Sequence, residues 1–104
     1  RLSCVIQAGA VPVLPGAEQA AEDFLYTAAG QRNRNHTGPF VEFRNVPFAM
    51  EEVLFDPQTS GGLLLAVDPA EAKALEKELQ DAGLPAAIVG QIIHKAQTEI
   101  TVIG

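Results

Sequence analysis

The chain contains few of the residues on which extracellular and nucleic-acid-binding proteins depend. It has one cysteine, no tryptophan, and seven lysines and arginines against thirteen aspartates and glutamates in 104 residues. The single Cys4 cannot form an internal disulfide. The formal net charge of −6 argues against nucleic acid or an anionic membrane surface as a partner, because both require clustered positive charge. No apolar run approaches the roughly 20 residues that a membrane-spanning helix needs. We therefore expect a cytoplasmic protein.

Length and composition predict one domain with its own core. A chain of 104 residues with 47% hydrophobic and 19% charged residues is typical of a single globular unit. Apolar, β-branched runs predict strands, and apolar residues three and four positions apart predict helices. The predicted strands cover 3–7, 40–43, 62–67, 86–93 and 98–103, the predicted helices cover 17–28, 47–55 and 69–82, and a polar surface loop is predicted over 31–39. This order predicts an α+β fold with a mixed sheet, in which the last two strands pair antiparallel.

The clearest helix signal starts at Asp68. Asp68 is a favoured N-cap residue, Pro69 suits the first helical position, and Glu71 completes a box-like arrangement. Gly83 then ends the helix. Its predicted buried stripe consists of Ala72, Leu75, Leu79 and Ala82. Because the preceding run 62–67 is apolar throughout rather than alternating, it is predicted to be a strand covered on both faces.

The most informative segment is 54–65, which reads LFDPQTSGGLLL. A proline-containing turn leads into the apolar run through Thr59, Ser60, Gly61 and Gly62. Consecutive glycines permit positive φ angles and a close approach of the backbone, and successive N–H groups in such a turn can bind an anion. Together with the two hydroxyls, this pattern predicts a loop that faces a phosphate. The alternative interpretation is an ordinary tight turn that leads into a core strand.

No complete catalytic arrangement accompanies this loop. His36 and His94 are far apart, with no cysteine or second histidine at metal-ligand spacing. The sequence contains no P-loop motif, and no Ser-His-Asp arrangement can be argued from one loop serine and two distant histidines. Asp56 stands alone in the loop, and Glu51 and Glu52 are predicted to lie on a helix surface. The sequence therefore predicts neither a metal site nor a catalytic residue within the chain.

Residues 56–64, Asp-Pro-Gln-Thr-Ser-Gly-Gly-Leu-Leu, resemble the signature of the C-terminal domain of selenophosphate synthetases (selenide, water dikinases). That domain belongs to the aminoimidazole ribonucleotide synthetase-like superfamily. Shorter matches follow the same order at 13–17, 38–43, 46–47 and 86–90. The resemblance implies a mixed sheet of about four strands packed with helices, loosely ferredoxin-like. It also implies that residues 1–104 are a single, excised C-terminal domain, which lacks its first helix and the N-terminal, ATP-binding half.

The resemblance further implies an activity, cofactors and partners. Members of this family use ATP, selenide and water to make selenophosphate, AMP and phosphate, with Mg²⁺ and, as a further candidate, K⁺. Their nucleophilic Cys or selenocysteine, its partner Lys and most metal-binding Asp residues lie in the N-terminal half. ATP and Mg²⁺ are therefore expected there, and the isolated chain is expected to be inactive. The expected partners are that N-terminal domain and small-molecule substrates, within a parent homodimer.

One further site residue follows from the resemblance. The family often shows Gly-Gly-Thr-x-x-Asn before the signature, and residues 28–33 here read Ala-Ala-Gly-Gln-Arg-Asn. Asn33 is kept, which adds it to the four substrate-facing or phosphate-facing loop residues, whereas the two glycines and the threonine are not in place. Arg32 or Arg34 could meet a phosphate instead, or both could be solvated loop charges. The departure leaves a second hypothesis open, a non-catalytic α+β module that binds a small ligand or a partner chain.

Overall fold

The computed structural model describes residues 1–58 and 61–104, which contain four strands and four α-helices. In chain order they are β1 (Leu2–Gln7), α1 (Ala17–Glu22), α2 (Ala28–Thr37), β2 (Val41–Arg44), α3 (Phe48–Phe55), α4 (Pro69–Asp81), β3 (Gly90–His94) and β4 (Ile100–Ile103). Short 3-10 helices at Ala8–Ala10 and Gly38–Phe40 follow β1 and α2. No helix in these described ranges is both long and apolar enough to cross a membrane.

The strands form one mixed sheet in the order β2-β4-β1-β3. Strand β4 runs parallel to both β1 and β2, whereas β3 runs antiparallel to β1. The predicted α+β fold with a four-stranded mixed sheet is therefore confirmed. The predicted antiparallel pairing of the last two strands is wrong, because β4 lies between β1 and β2, whereas β3 pairs with β1 at the edge of the sheet. Val102 on β4 is 4% exposed. The alternating β-branched residues Ile100 and Val102 favour this central place, since such side chains pack best on a covered pleated surface.

The core lies between one face of this sheet and α3. Val102 packs with Ala8, which follows β1, and with Met50 on α3. Alternate strand residues reach the same face, because successive side chains of a strand point to opposite sides. Phe43 and Phe55 meet edge to face with ring centroids 5.6 Å apart, which fixes the C-terminal end of α3 against β2. The partly buried hydrophobic residues packed against the core are Ile6, Val11, Val13, Val41, Phe43, Val46, Val53, Leu54 and Ile100.

The predicted helix over 17–28 ends early. Helix α1 stops at Glu22, and Phe24 has a φ of 62°. A left-handed residue cannot continue a right-handed helix, and an aromatic side chain adopts this conformation rarely. The apolar periodicity therefore predicted the start of α1 correctly but not its end.

Helix α2 occupies most of the predicted surface loop over 31–39. It begins at Ala28 because the hydroxyl of Thr27 accepts a hydrogen bond from the Gly30 N–H group at 3.0 Å and caps the helix. The loop prediction is wrong because α2 has no apolar stripe that periodicity could detect. Polar side chains make its contacts with α3, as described below.

The predicted strand over 62–67 is also wrong. Residues 61–68 contain no strand, and Leu63, Leu64 and Leu65 are 87%, 78% and 54% exposed. An apolar run forms a strand only where a neighbouring strand supplies backbone hydrogen-bond partners. The sheet of the described residues has its edges at β2 and β3, and this run pairs with neither.

Helix α4 begins as predicted. The Asp68 carboxylate accepts a hydrogen bond from the Ala70 N–H group at 2.8 Å, and Pro69 is the first helical residue. Gly83, with a φ of 83°, follows the helix as its predicted stop. The predicted burial of the stripe is wrong, because α4 contains no buried residue. That stripe was predicted at Ala72, Leu75, Leu79 and Ala82.

Gly90 is required by the close pairing of β3 with β1. A Cβ there would lie 2.9 Å from the carbonyl carbon of Val5 and 3.0 Å from the Cα of Ile6, and would collide with the Val5 carbonyl oxygen. We expect Gly90→Ala to lower the free energy of unfolding by about 2 kcal/mol or more, because these backbone atoms cannot move aside separately. Gly38→Ala is the matched control, since nothing lies within 4 Å of its added Cβ. Urea unfolding of both variants checks this, and equal midpoints would contradict it.

Candidate functional site

Helix α2 lies against the C-terminal end of α3. The loop with Thr59, Ser60, Gly61 and Gly62, which we call the candidate loop, follows α3 in the chain. Thr27 Oγ1 donates a hydrogen bond to Asp56 Oδ1 at 2.8 Å, and Asn33 Nδ2 donates to the carbonyl oxygen of Phe55 at 2.8 Å. Residues three positions apart share one side of a helix, so Thr27, Gly30 and Asn33 face the end of α3 together. We name this contact between α2 and residues 55–56 the α2–α3 joint.

Gly30 is the buried residue of α2 at this joint. An added Cβ would lie 3.3 Å from Thr27 Oγ1 and 3.7 Å from the Cα of Asp56. The first of these distances is tighter than ordinary van der Waals contact, so a side chain here would press on the Thr27 hydroxyl. The absence of a side chain at Gly30 therefore lets the two helices meet through Thr27.

Gly61 lies close to Gln58 in the candidate loop. An added Cβ on Gly61 would lie 2.8 Å from both Cβ and Oε1 of Gln58, whereas nothing lies within 4 Å of a Cβ on Gly62. The predicted close approach is found at Gly61 alone. The other two predicted loop residues, Thr59 and Ser60, lie outside the described residues.

Arg34 connects α2 to α3 beside the joint. Its guanidinium pairs with Glu51 at 2.8 Å and with Glu52 at 2.5 Å. Its Cζ lies 4.7 Å and 4.8 Å from the ring centroids of Phe48 and Phe55, which is cation–π range for both rings. Glu52 is 2% exposed, and a carboxylate buried to this degree requires such a partner. Arg34 is therefore held within the fold rather than presented to a phosphate.

Both carboxylate oxygens of Glu52 have donors. Arg34 donates to Oε1 and Gln31 Nε2 donates to Oε2. Burial by itself lowers the pKa of Arg34, but the hydrogen bonds and charges of Glu51 and Glu52 outweigh burial and raise that pKa above its usual value. Arg34 therefore stays protonated throughout the physiological range. Of the two arginines that the sequence suggested for a phosphate, the exposed Arg32 stays a prediction.

Sequence reasoning missed most of the joint. Thr27 was not a candidate, although a threonine before a run such as Ala28-Ala29 is a favoured N-cap residue and could have marked the start of α2. Glu52 was predicted to lie on a helix surface, and no pattern within α3 distinguishes it from Glu51. Its burial depends on Arg34, which lies on another helix. Asn33, predicted from the resemblance, does lie at the joint.

A cleft among the described residues lies away from the joint. A volume of about 430 Å³ opens where the parallel strands β1, β2 and β4 end, with Ala8 and Met50 in its lining. Pro47 also lines it, which places the cleft at the N-terminal end of α3, opposite the joint. The polar side chains in its lining are Glu18 and Asn45, and both are exposed. The rest of the lining is apolar or glycine. We therefore place the candidate site at the joint and its loop, where polar contacts do converge.

The carboxylates near the loop are already engaged. Asp56 accepts from Thr27, and Glu52 accepts from Arg34 and Gln31. Within residues 1–58 and 61–104, no group of three or more His, Cys, Asp or Glu side chains is placed to hold a metal ion. Mg²⁺ requires several oxygen ligands in near-octahedral positions. The described residues therefore do not fit a magnesium site.

These features define the class of protein. It is an α+β domain in which a glycine-containing loop follows a helix at the point where that helix contacts a second helix. The family model of the AIR synthase related protein, C-terminal domain, matches residues 2–103, and the chain belongs to this family. The resemblance stated from the sequence is thereby confirmed.

The chain is similar to several bacterial proteins named selenide, water dikinase. It is 53% identical over 102 residues to the protein of Agathobacter rectalis, 42% over 91 residues to that of Desulfitobacterium hafniense strain Y51, and 40% over 100 residues to that of Treponema denticola. These alignments cover 97%, 88% and 90% of the chain but only 30%, 27% and 28% of the relatives. The chain therefore spans less than a third of the length of the relatives that it matches.

Proposed function

We propose that the chain is the C-terminal domain of an ATP-dependent selenophosphate synthetase. The observation that carries this proposal is the 53% identity over 102 residues with a selenide, water dikinase. In the proposed reaction, ATP, selenide and water give selenophosphate, AMP and phosphate. The parent protein is then a phosphotransferase, and this domain forms one wall of its active cleft without supplying a catalytic residue.

The proposed role of the candidate loop is to face the phosphates. Phosphoryl transfer depends mainly on positioning and on charge neutralisation, and the backbone N–H groups of a compact turn can contact phosphate oxygens. The absence of a side chain at Gly61 lets its backbone lie close to Gln58. The hydroxyls of Thr59 and Ser60 complete the proposed contacts.

Asn33 belongs to the same proposed set. Its amide group has two N–H donors and one acceptor oxygen, and the contact with Phe55 occupies one donor. The side chain is exposed, so the second N–H group and the oxygen remain accessible to a substrate. Asn33 would thus contact both the end of α3 and the bound phosphate group.

The remaining chemistry is assigned to an N-terminal domain of the same parent chain. That domain would hold ATP and Mg²⁺ and would supply the nucleophile, and K⁺ is a further candidate cofactor of the parent protein. It would pack against this domain within a homodimer. Since the proposed reaction consumes ATP, we place the parent protein in the cytoplasm.

A chimera with the A. rectalis protein tests the proposal. The matched segment of that protein is replaced by residues 2–103 of this chain, and selenophosphate is measured by phosphorus NMR with ATP and selenide under anaerobic conditions. We expect the chimera to keep its rate within about tenfold, a change of roughly 1.4 kcal/mol in the barrier. Deletion of the segment and the isolated chain are controls, and both are expected to release no phosphate from ATP.

Two results would contradict the proposal. One is a folded chimera that makes no selenophosphate, and the other is ATP-dependent phosphate release by the isolated chain. The second hypothesis, a non-catalytic module that binds a small ligand or partner chain, predicts the first of these results. The changed 28–30 segment is the observation that favours this second hypothesis.

A further inference from the structure

We propose that Thr27 is a positioning residue, which fixes the direction in which the candidate loop leaves α3 and acts through Asp56. The proposal rests on the proposed function, in which that loop faces the transferred phosphate. Thr27 lies outside the set of predicted site residues. Its hydroxyl links the start of α2 to the first residue after α3.

Local chemistry directs the Thr27 hydroxyl toward Asp56. As the N-cap of α2, Thr27 has φ −92° and ψ 154°, and its Oγ1 accepts from the Gly30 N–H group at 3.0 Å. A hydroxyl has one donor and two acceptor lone pairs, so capping the helix leaves its proton available. That proton is donated to Asp56 Oδ1, 2.8 Å away. One side chain therefore starts α2 and holds the residue that follows α3.

Asp56 is constrained from its other side by Pro57. A proline disfavours the helical conformation in the residue before it, and Asp56 is extended, with φ −67° and ψ 125°. The backbone of Asp56 is thus fixed by Pro57, and its side chain is fixed by Thr27. Together the two contacts define the direction in which the chain leaves α3.

The rest of the joint supports the same contact. Asn33 donates to the Phe55 carbonyl oxygen at 2.8 Å, one residue before Asp56. Gly30 stands at the position where the family pattern often has threonine, and an added Cβ would lie 3.3 Å from Thr27 Oγ1. In this chain the hydroxyl that contacts the end of α3 belongs to Thr27, one helical turn earlier. The absence of a side chain at Gly30 leaves space for that hydroxyl.

The effect of Thr27 should fall on geometry more than on stability. Thr27 is exposed, so water can replace its hydrogen bond to the Asp56 carboxylate, and loss of a threonine N-cap costs only about 0.5–2 kcal/mol. Arg34 independently holds α2 to α3 through Glu51 and Glu52. Loss of the Thr27 hydroxyl therefore leaves the helices together but releases the start of the loop.

The test uses Thr27→Val in the full-length protein, because valine matches the shape of threonine and removes the hydroxyl. Thr27→Ser keeps the hydroxyl. Thr37→Val is the matched control, since Thr37 Oγ1 on the same helix donates to the Asn33 carbonyl oxygen at 2.8 Å, away from the loop. We expect Thr27→Val to lower kcat/KM for ATP roughly tenfold and to lower the backbone NMR order parameters of Gly61 and Gly62, which measure how tightly each N–H direction is held. Both other variants should stay within about twofold of the unmodified protein.

A second variant separates loop positioning from capping. Asp56→Ala removes the acceptor while Thr27 still caps α2, so it should reproduce the order-parameter and kcat/KM changes of Thr27→Val even if that variant folds poorly. Unchanged order parameters in both variants would overturn the proposal, and so would lowered order parameters with unchanged kcat/KM. A full-length protein that makes no selenophosphate would instead refute the proposed function before any substitution, and the order parameters alone would then decide whether Thr27 fixes the loop.

Discussion

Alanine at position 61 is expected to lower selenophosphate formation by the full-length protein roughly 100-fold, whereas alanine at position 62 should leave it within about twofold. The two neighbouring glycines differ in the room around them. A Cβ on Gly61 would lie 2.8 Å from the Cβ of Gln58, and nothing lies within 4 Å of a Cβ on Gly62. The Gln58 Cβ is bonded to the backbone, so the backbone at Gln58 or Gly61 must shift. A shift of about 1 Å in a positioning group can cost two orders of magnitude in rate.

The kcat and the KM for ATP of both variants test this expectation, with urea unfolding as the check that each variant folds. Adding Gln58→Gly to Gly61→Ala removes the atoms that collide, and the double variant should recover most of the lost rate. Equal rates for Gly61→Ala and Gly62→Ala would contradict a steric cause. Failure of the double variant to recover would do so as well.

Local chemistry made part of the fold predictable from the sequence. Asp68 and Pro69 start α4 as predicted, and Gly83 follows it, because capping depends on hydrogen bonds within a few residues. The strands near 3–7, 40–43 and 98–103 were found for a similar reason, since their β-branched and aromatic residues favour extended backbone.

Features that depend on contacts distant in sequence were not predictable in this way. Helix α2 is polar from Gln31 to its end, and Arg34 and Gln31 hold it to Glu52 across 18 and 21 positions. Apolar periodicity cannot detect such a helix. The same limit applies to 62–67, because an apolar run forms a strand only beside a partner strand.

In the candidate site, too, local features were predictable from the sequence and contacts between distant residues were not. The close approach at Gly61 followed from the glycine pair in the motif, whereas the contact of Thr27 with Asp56 spans 29 positions and carries no sequence pattern. Asn33 was predicted only through the family resemblance, and it contacts Phe55 across 22 positions. Motif chemistry thus identified the loop, and tertiary packing determines what holds it in place.

The largest loss of stability is expected from Arg34→Met. Glu52 is 2% exposed and would lose its cation, and removal of one partner from a buried ion pair costs about 3–5 kcal/mol. The hydrogen bonds and charges of Glu51 and Glu52 raise the pKa of Arg34 above its usual value. The contribution of Arg34 to the free energy of unfolding is therefore fully present below the ordinary arginine pKa. It is lost only as the pH rises through the raised pKa of Arg34. We expect the same loss at neutral and at mildly alkaline pH.

A double-mutant cycle with Glu52→Leu isolates the ion pair. Each single variant leaves one partner without its counter-charge, whereas Arg34→Met with Glu52→Leu replaces both by apolar groups and should recover most of the free energy of unfolding. Arg34→Lys keeps the charge but loses the planar fork that meets two carboxylates between the rings of Phe48 and Phe55, so its loss should be intermediate. Urea unfolding of these variants provides the measurement. If the losses from the two single variants simply add in the double variant, Arg34 and Glu52 are not coupled, and the joint must be held chiefly by Asn33 and Thr27.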